Sequence, residues 1–213
     1  MYVSRHMTKN PITVSPAMLL PEARALLNDY HFRHLPVVDE QGELVGMLTD
    51  RDLRSAYPSS VLSDSESRLV YEKVEKTEVS EIMSTESISL TPDSTLDDAL
   101  FLFDRDHVGA LPVLEDGQVV GVFSIRDLTS AYKLSFGVGD KGTVLIGLED
   151  DGSDTILTRL VILLEKEKLP FTRILRIPNE KDGSAIYIRV STFKIAGVLE
   201  LLKENGFPIR RFS

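Results

Sequence analysis

The chain of 213 residues has neither cysteine nor tryptophan and only four histidines. The missing cysteine removes disulfides, thiolate metal sites and thiol nucleophiles together, and a reducing cytoplasm is the expected compartment. The histidines lie apart at His6, His31, His34 and His107, with no clustered acid to complete a ligand set, so no metal site is expected. The purely apolar runs, such as Leu160 to Leu164, are too short to span a bilayer, and Met1 to Thr8 holds no apolar stretch of the kind a secretion signal needs. Positive charge is in the minority, 24 Lys and Arg against 33 Asp and Glu, for a net charge of -9. That balance argues against nonspecific nucleic-acid binding and against an anionic membrane surface. A small nucleotide stays open, because a local Arg outweighs a distant field that salt screens. The chain also lacks a Gly-x-x-x-x-Gly-Lys-Ser/Thr loop, a Gly-x-Ser-x-Gly elbow and a His-Glu-x-x-His pair. No catalytic constellation is left, so the expectation is a protein that is not an enzyme and needs no catalytic cofactor.

What is present is repetition. Gly46-Met47-Leu48-Thr49-Asp50-Arg51-Asp52-Leu53 returns as Gly121-Val122-Phe123-Ser124-Ile125-Arg126-Asp127-Leu128, each followed by Ser-Ala-Tyr. An offset of 76 carries Val3-Ser4, Met7-Thr8, Pro16, Ala23, His31 and Leu35-Pro36-Val37 onto the second copy, and one deletion in the following turn makes the offset 75. In copy one, a short proline-bounded segment over 11–16 precedes apolar residues at helical spacing from Leu19 to Tyr30. Two strands, 35–38 and 44–48, then lead to a helix from Asp50 to about Tyr57. Each copy is thus a β-α-β-β-α unit, too small to cover its own sheet, and the two should pack about a pseudo-twofold axis with ligand clefts between them. The serine-rich, acidic connection over 58–77 carries no chemistry and reads as part loop, part helix around Leu69-Val70-Tyr71 and Val74.

At both motif positions a hydroxyl, a guanidinium and a carboxylate gather where a strand ends and a helix opens. Backbone N–H groups and the helix dipole favour an anion there, Arg grips phosphate oxygens in a fork, and a carboxylate accepts from ribose hydroxyls. The same residues also read as near-capping boxes, Thr49-x-x-Asp52 and Ser124-x-x-Asp127, and the two readings are compatible. His31 and His107 fall at equivalent helix ends, where a cation suits the dipole.

The last third has its own pattern. Gly137-Val-Gly139-Asp-Lys-Gly142 satisfies G-x-G-x-x-G, yet it precedes a strand instead of following one, so it reads as a hinge and not as a dinucleotide fingerprint. A strand over 143–148, an acidic turn Asp150-Asp151-Gly152-Ser153-Asp154, a helix from about Thr155 to Lys168, a hairpin over 171–190 turning at 179–183, a helix capped by Ser191 or Thr192 and reaching Asn205, and a last strand over 207–212 follow. The order β-α-β-β-α-β is that of a ferredoxin-like domain. The acids of the turn attract a cation or remain a solvated loop.

The Leu-Pro-Val strand, acidic turn and glycine, followed by Gly-x-x-x-Thr/Ser-x-Arg-Asp-Leu in both copies, resemble a tandem pair of cystathionine-β-synthase (CBS) domains, a Bateman module, over roughly 1–135. The rest resembles an ACT domain, and the whole resembles the acetoin-utilisation AcuB group. The expected fold is therefore α+β, with CBS repeat 1 over 1–60, a connector over 61–78, CBS repeat 2 over 79–135, a glycine hinge over 136–142 and an ACT-like domain over 143–213. The resemblance implies a regulatory ligand containing adenosine: AMP, ADP, ATP, NAD or S-adenosylmethionine. Asp52 and Asp127 would hold ribose, and Thr49, Arg51, Ser124 and Arg126 would hold phosphates. The base would lie near Thr8, Thr13 and Arg33 or near Ser84, Ser89 and Gly109, each site joining one copy's base segment to the other's Arg-Asp motif. Asp50 stands where copy two has Ile125 and disfavours a triphosphate, and Arg33 answers Gly109, so unequal affinities are expected. The ACT resemblance lacks the Pro of the usual Asp-x-Pro-Gly turn, which leaves amino-acid binding and simple dimerisation as alternatives. A homodimer and a regulated protein partner are the further expectations; against the sensor stands a constitutive scaffold whose nucleotide cleft is vestigial.

Overall fold

The computed structural model describes residues 1–58, 63–86, 88–178 and 183–210. The chain divides into two compact units, Met1–Ala131 and Tyr132–Ser213.

In the first unit, copy one has α1 (Leu20–Asp29), antiparallel β2 (His34–Val38) and β3 (Leu44–Thr49), and α2 (Asp50–Ala56), preceded by a short β1 (Thr8–Lys9). The helix α3 (Asp64–Val74) follows, in the connection that the sequence left part helical. Copy two repeats the plan with α4 (Leu96–Asp106), β4 (Ala110–Glu115), β5 (Gln118–Ser124) and α5 (Ile125–Phe136), which runs on into the second unit. The proline-bounded segments supply only a parallel bridge each, Val14 to Val37 and Leu90 to Val113, because prolines at 11, 16, 92 and 112 remove the donors a longer ladder needs. Both hairpins shift register at the same place, between Val37 and Val38 and between Val113 and Leu114. The cores also correspond: Leu20, Leu35 and Leu48 are fully buried, and so are their counterparts Leu96, Leu111 and Phe123. Phe123 stacks on Phe103 at 6.2 Å between ring centroids, filling with aromatic volume what Leu27 and Leu48 fill in copy one.

The leading segments are exchanged between copies. Val3 N–H donates to Ser94 O at 2.8 Å, and its counterpart Val79 N–H donates to Met18 O at 2.8 Å. Thr8 pairs with Val122, and Ser84, its equivalent, pairs with Met47. The strand glycines of the repeated motif make this contact sterically allowed. A Cβ on Gly46 would lie 2.7 Å from Ser84 O and 2.8 Å from Met83 Sδ, and one on Gly121 would collide with Met7 Sδ. His31 and His107 both have φ near 50° and end their helices in the left-handed region, so their common role is conformational, one that histidine fills more often than most residues.

The second unit contains β6 (Thr143–Glu149), α6 (Ile156–Lys166), β7 (Phe171–Ile177), β8 (Ala185–Ser191) and α7 (Ile195–Glu204). Its antiparallel sheet has the order β6-β8-β7, and Ile209 bridges Leu148 on the outer side of β6. Alternation along β6 and β8 turns Ile146, Leu148, Ile186 and Ile188 into one core with Leu160 and Leu164 of α6 and Leu202 of α7. Two sequence expectations need correction here. Neither Ser191 nor Thr192 caps α7: Ser191 is still paired with Thr143 in the sheet, the N-cap is Lys194, and Thr192 Oγ1 instead accepts from Lys194 N–H at 3.0 Å. The last strand starts later than expected, because Phe207 N–H is taken by Leu202 O; Pro208 O accepts from Glu149 N–H and Arg210 N–H donates to Gly147 O, both at 2.9 Å, and 211–212 lie outside the described residues. The tip of the expected turn, 179–182, also lies outside the described residues.

Gly137 to Gly142 forms the turn into β6, with Gly137, Gly139 and Gly142 at positive φ. Gly137 is also a close-approach position, because a Cβ there would meet the guanidinium of Arg173, which donates to Leu134 O and Ser135 O and pairs with Asp140.

The exchanged contact gives a paired test. Gly121→Ala should destabilise the protein by roughly 1–3 kcal/mol in urea unfolding through overpacking, and Met7→Ala should relieve most of that loss. Gly46→Ala should cost a similar amount but resist rescue by Met83→Ala, because the Ser84 carbonyl cannot move aside as a thioether can. Equal rescue in both copies would contradict this account.

Candidate functional site

Both repeated motifs form complete capping boxes. Thr49 Oγ1 accepts from Asp52 N–H at 3.2 Å, while Asp52 Oδ2 accepts from Thr49 N–H at 2.8 Å and from Thr49 Oγ1 at 2.6 Å. Ser124 and Asp127 repeat the pattern at 3.2, 2.9 and 2.6 Å. The bonds converge on Oδ2, which fixes each carboxylate and leaves Oδ1 outside the box. The next helical N–H groups are tied in the same way, Asp50 N–H to Arg33 O at 3.0 Å and Ile125 N–H to Gly109 O at 3.1 Å.

A cleft of about 400 Å³ opens beside the first box. One wall comes from copy one, with Arg33, His34, Met47 and Thr49 to Asp52; the other comes from copy two, with Ser84, Glu86, Ile88 and 107–112. The structure thus brings together Arg33, Thr49, Arg51, Asp52, Ser84 and Gly109 of the expected residues. Ser89 does not line this cleft, though its neighbour Ile88 does. Arg33 sits on the same cleft as Gly109 and faces the motif of its own copy, which differs from the base-segment role expected for it. Thr8 belongs with the other motif: its partner Val122 precedes Ser124 by two residues, as Met47, the partner of Ser84, precedes Thr49. Thr13 is half-buried beside Val14, whose N–H and carbonyl bond Pro36 and Val38, on the strand after Arg33; Arg126 is exposed in the first turn of α5 beside Asp127.

Sequence reasoning missed His34, Glu86 and the pairing of Arg54. The cross-copy register that puts Glu86 opposite the first motif is not a periodic signal, and the offset alone could have flagged only that Asn10 stands in its place in copy one. Arg54 Nη2 holds Asp50 Oδ2 at 2.6 Å, one turn along an exposed helix face, a pair worth about 0.3–0.5 kcal/mol in such settings. His34 packs so closely on Gly109 that a Cβ there would lie 3.0 Å from its Nε2. Burial first, and then the Arg33 guanidinium, hold the His34 imidazole below its ordinary pKa, against the pull of Asp52 and Asp50.

In the second unit Asp150 and Asp151 of the acidic turn are answered by side chains of β7 and α6. Asp150 takes Arg176 in a two-pronged ion pair and Gly152 N–H at 2.9 Å, and Asp151 takes Ser153 N–H and pairs with Arg159. The Arg176 bond is the main reason the Asp150 carboxyl lies below the usual carboxylate range. Among the described residues no group of three or more His, Cys, Asp or Glu is placed to hold a metal, and no helix is long and apolar enough to cross a membrane.

The duplicated frame and the mixed-copy cleft fit a known module. The family model of the CBS domain matches residues 3–59 and 79–134, more than half of the chain, and the chain belongs to the CBS-domain family. It is 36% identical over 122 residues to the CBS domain-containing protein YhcV of Bacillus subtilis, covering 57% of this chain and 79% of that protein. It is also 31% identical over 159 residues to the inosine-5'-monophosphate dehydrogenase of Aquifex aeolicus, covering 73% of this chain but only 30% of the dehydrogenase. That likeness comes from the CBS pair and carries no catalytic part. Among solved structures, an acetoin utilization protein (AcuB) of Vibrio cholerae matches with TM-score 0.54 and 26% identity over 64% of this chain and 93% of its own. The CBS pair of MJ0100, solved with 5'-methylthioadenosine and S-adenosyl-L-methionine, matches with TM-score 0.53 and 26% identity over 63% and 98%. CBSX2 in complex with AMP matches with TM-score 0.53 and 25% identity over 64% and 98%. All of these structural matches cover about the share of the chain that the CBS pair occupies, and proteins of this kind are regulatory in general.

The direction of the His34 shift fixes a pH dependence. The unfolded chain binds this proton at a higher pH than the folded one, so the stability linked to His34 is intact above its ordinary value of 6.5 and is lost as pH falls through it. His34→Gln should therefore shrink the loss of unfolding free energy between about pH 7 and pH 5 relative to the parent protein. An NMR titration should place the His34 midpoint below that of a model histidine; a midpoint at or above it would refute the assignment.

Proposed function

We propose that the chain is a non-enzymatic regulatory protein that senses an adenosine-containing ligand in the clefts of its CBS pair. The observation that carries this is the construction of the cleft. A fixed carboxylate, a hydroxyl and an Arg from one copy face the leading segment of the other across about 400 Å³, within the roughly 300–1,000 Å³ of small-molecule sites. In this reading Asp52 and Asp127 hold ribose through Oδ1, Arg51 and Arg126 with Thr49 and Ser124 hold phosphate, Thr8, Thr13, Ser84, Ser89 and Gly109 surround the base, and Arg33, expected at the base, joins Arg51 on the phosphate side of the first cleft. The neighbours solved with AMP and with S-adenosyl-L-methionine support the ligand class. Because the cleft draws on both copies, occupancy alters how the copies meet, and that change is the signal.

The reader of the signal is a protein partner or the second unit, which we take as ACT-like and joined through a glycine hinge at 136–142. Its element order β-α-β-β-α and the position of the 209 segment beside β6 support a ferredoxin-like plan. A cytoplasmic homodimer is the assembly this reading uses, and the AcuB neighbour makes acetoin utilization the pathway to examine first. The rival, a constitutive scaffold, is favoured by the capping boxes, which account for the hydroxyl and the acid with no ligand at all.

Calorimetric titration with AMP, ADP, ATP, NAD and S-adenosylmethionine separates the two. Arg51 and Arg126 have no part in the boxes, so Arg51→Ala and Arg126→Ala should each weaken one binding event by about 2–5 kcal/mol with unchanged urea midpoints. Asp52→Ala and Asp127→Ala should lower both affinity and stability. Silence across the panel from folded, nucleotide-free protein would leave the scaffold.

A further inference from the structure

The cleft beside the first motif has a charge pattern that the duplicated counterpart does not share. Three cations line it, Arg33, Arg51 and Arg54, against three carboxylates, Asp50, Asp52 and Glu86. Arg54 is bound to Asp50 at 2.6 Å, and Asp52 is held in its box. Two guanidinium groups, Arg33 and Arg51, are then left to meet an anion, and Glu86 opposes them from the other copy. His34 adds no charge, since burial keeps its imidazole neutral near pH 7. At the corresponding positions of the other motif the chain has Ile125 for Asp50, Thr129 for Arg54 and Asn10 for Glu86, so both extra carboxylates are absent there. The helices differ as well: α2 has seven residues and α5 has 12.

Resting on the adenosine-ligand reading above, we infer that the cleft beside Thr49–Asp52 accepts nucleosides with at most one phosphate and rejects polyphosphates. Two free guanidinium groups balance the dianion of a monophosphate. Each further phosphate finds no additional free cation and meets Glu86, with Asp50 already holding Arg54, so charge number decides occupancy.

The experiment is a magnesium-free titration of the full chain carrying Arg126→Ala, so that only this cleft is read, with AMP, ADP and ATP. AMP should bind at least about tenfold more tightly than ATP, with ADP between them. Installing the other copy's residues, Asp50→Ile with Glu86→Asn, should close most of the gap by tightening ATP and not by weakening AMP. Asp50→Asn with Glu86→Gln gives the same comparison if the first pair impairs folding. Equal binding of AMP and ATP, or a gap untouched by both double variants, overturns the inference and leaves the adenosine site standing. No binding of any of the three overturns the inference, and silence of S-adenosylmethionine and NAD as well removes the adenosine site itself.

Discussion

The close approach of Met7 to Gly121 and of Met83 to Gly46 is the constraint on which the first unit depends. Only a residue without a Cβ lets the other copy's leading segment lie against the motif strand, and there Ser84 O accepts from Met47 N–H at 2.9 Å while Thr8 pairs with Val122. The same segments also support the helix starts, as Val3 does at Ser94 and Val79 at Met18. Each copy is therefore completed by the other. Val79 is buried in copy one's core although it belongs in sequence to copy two. A β-α-β-β-α copy of this size buries too little surface to stand alone, and exchange couples the stability of the two copies into one.

Exchange also makes the cleft. With the leading segment of one copy beside the motif of the other, Ser84 and Glu86 face Thr49 to Asp52 without any loop devoted to the purpose. The capping box then prepares the site. Thr49 N–H and Oγ1 hold Asp52 Oδ2 at 2.8 and 2.6 Å, so the carboxylate does not need to be ordered when a ligand arrives. Preorganisation of this kind lowers the entropic cost of binding. In the proposed reading stability and recognition share atoms, which is why a loss of affinity in an Asp52 variant would say little by itself, whereas Arg51, outside the box, would report on recognition alone.

Much of this frame was legible in the sequence. The offsets of 76 and 75 align the buried positions one by one, Leu20 with Leu96 and Leu53 with Leu128, because the same apolar periodicity builds both cores. The capping boxes were legible for a related reason, being set by residues three apart on one helix turn. Segment exchange was not legible in its particulars, since a pairing such as Ser84 with Met47 leaves no periodic trace. Glu86 was missed with it, as it enters the cleft only through that pairing, whereas His34 lies opposite Thr49 in its own hairpin and belongs to no repeated motif. In the second unit the misplaced α7 cap has a similar cause: hydroxyl residues before a helix pattern suggest a cap, but the ladder with Thr143 keeps Ser191 in the sheet. The acidic turn looked solvated or cation-binding from its composition, and the side chains that answer it, Arg176 and Arg159, come from distant positions.

Duplication turns the remaining differences between copies into a question of charge. The hairpins share a register shift, the boxes share their geometry to about 0.1 Å, and the leading segments pair alike. Shape therefore does little to distinguish one motif from the other. What differs is Asp50 against Ile125 and Glu86 against Asn10 among the acids, and Arg33 against Gly109 and Arg54 against Thr129 among the cations. A carboxylate about 6 Å from a phosphate charge is worth roughly 0.7–3 kcal/mol over effective dielectric constants of 20 to 80. Under the proposed reading, two such carboxylates outweigh the difference that a few side-chain contacts make, at a separation shorter than the Debye length. If, as proposed, each motif takes a ligand, two motifs with one backbone and two charge patterns answer to two members of one ligand class, and the number of phosphates is the property on which such a frame discriminates best.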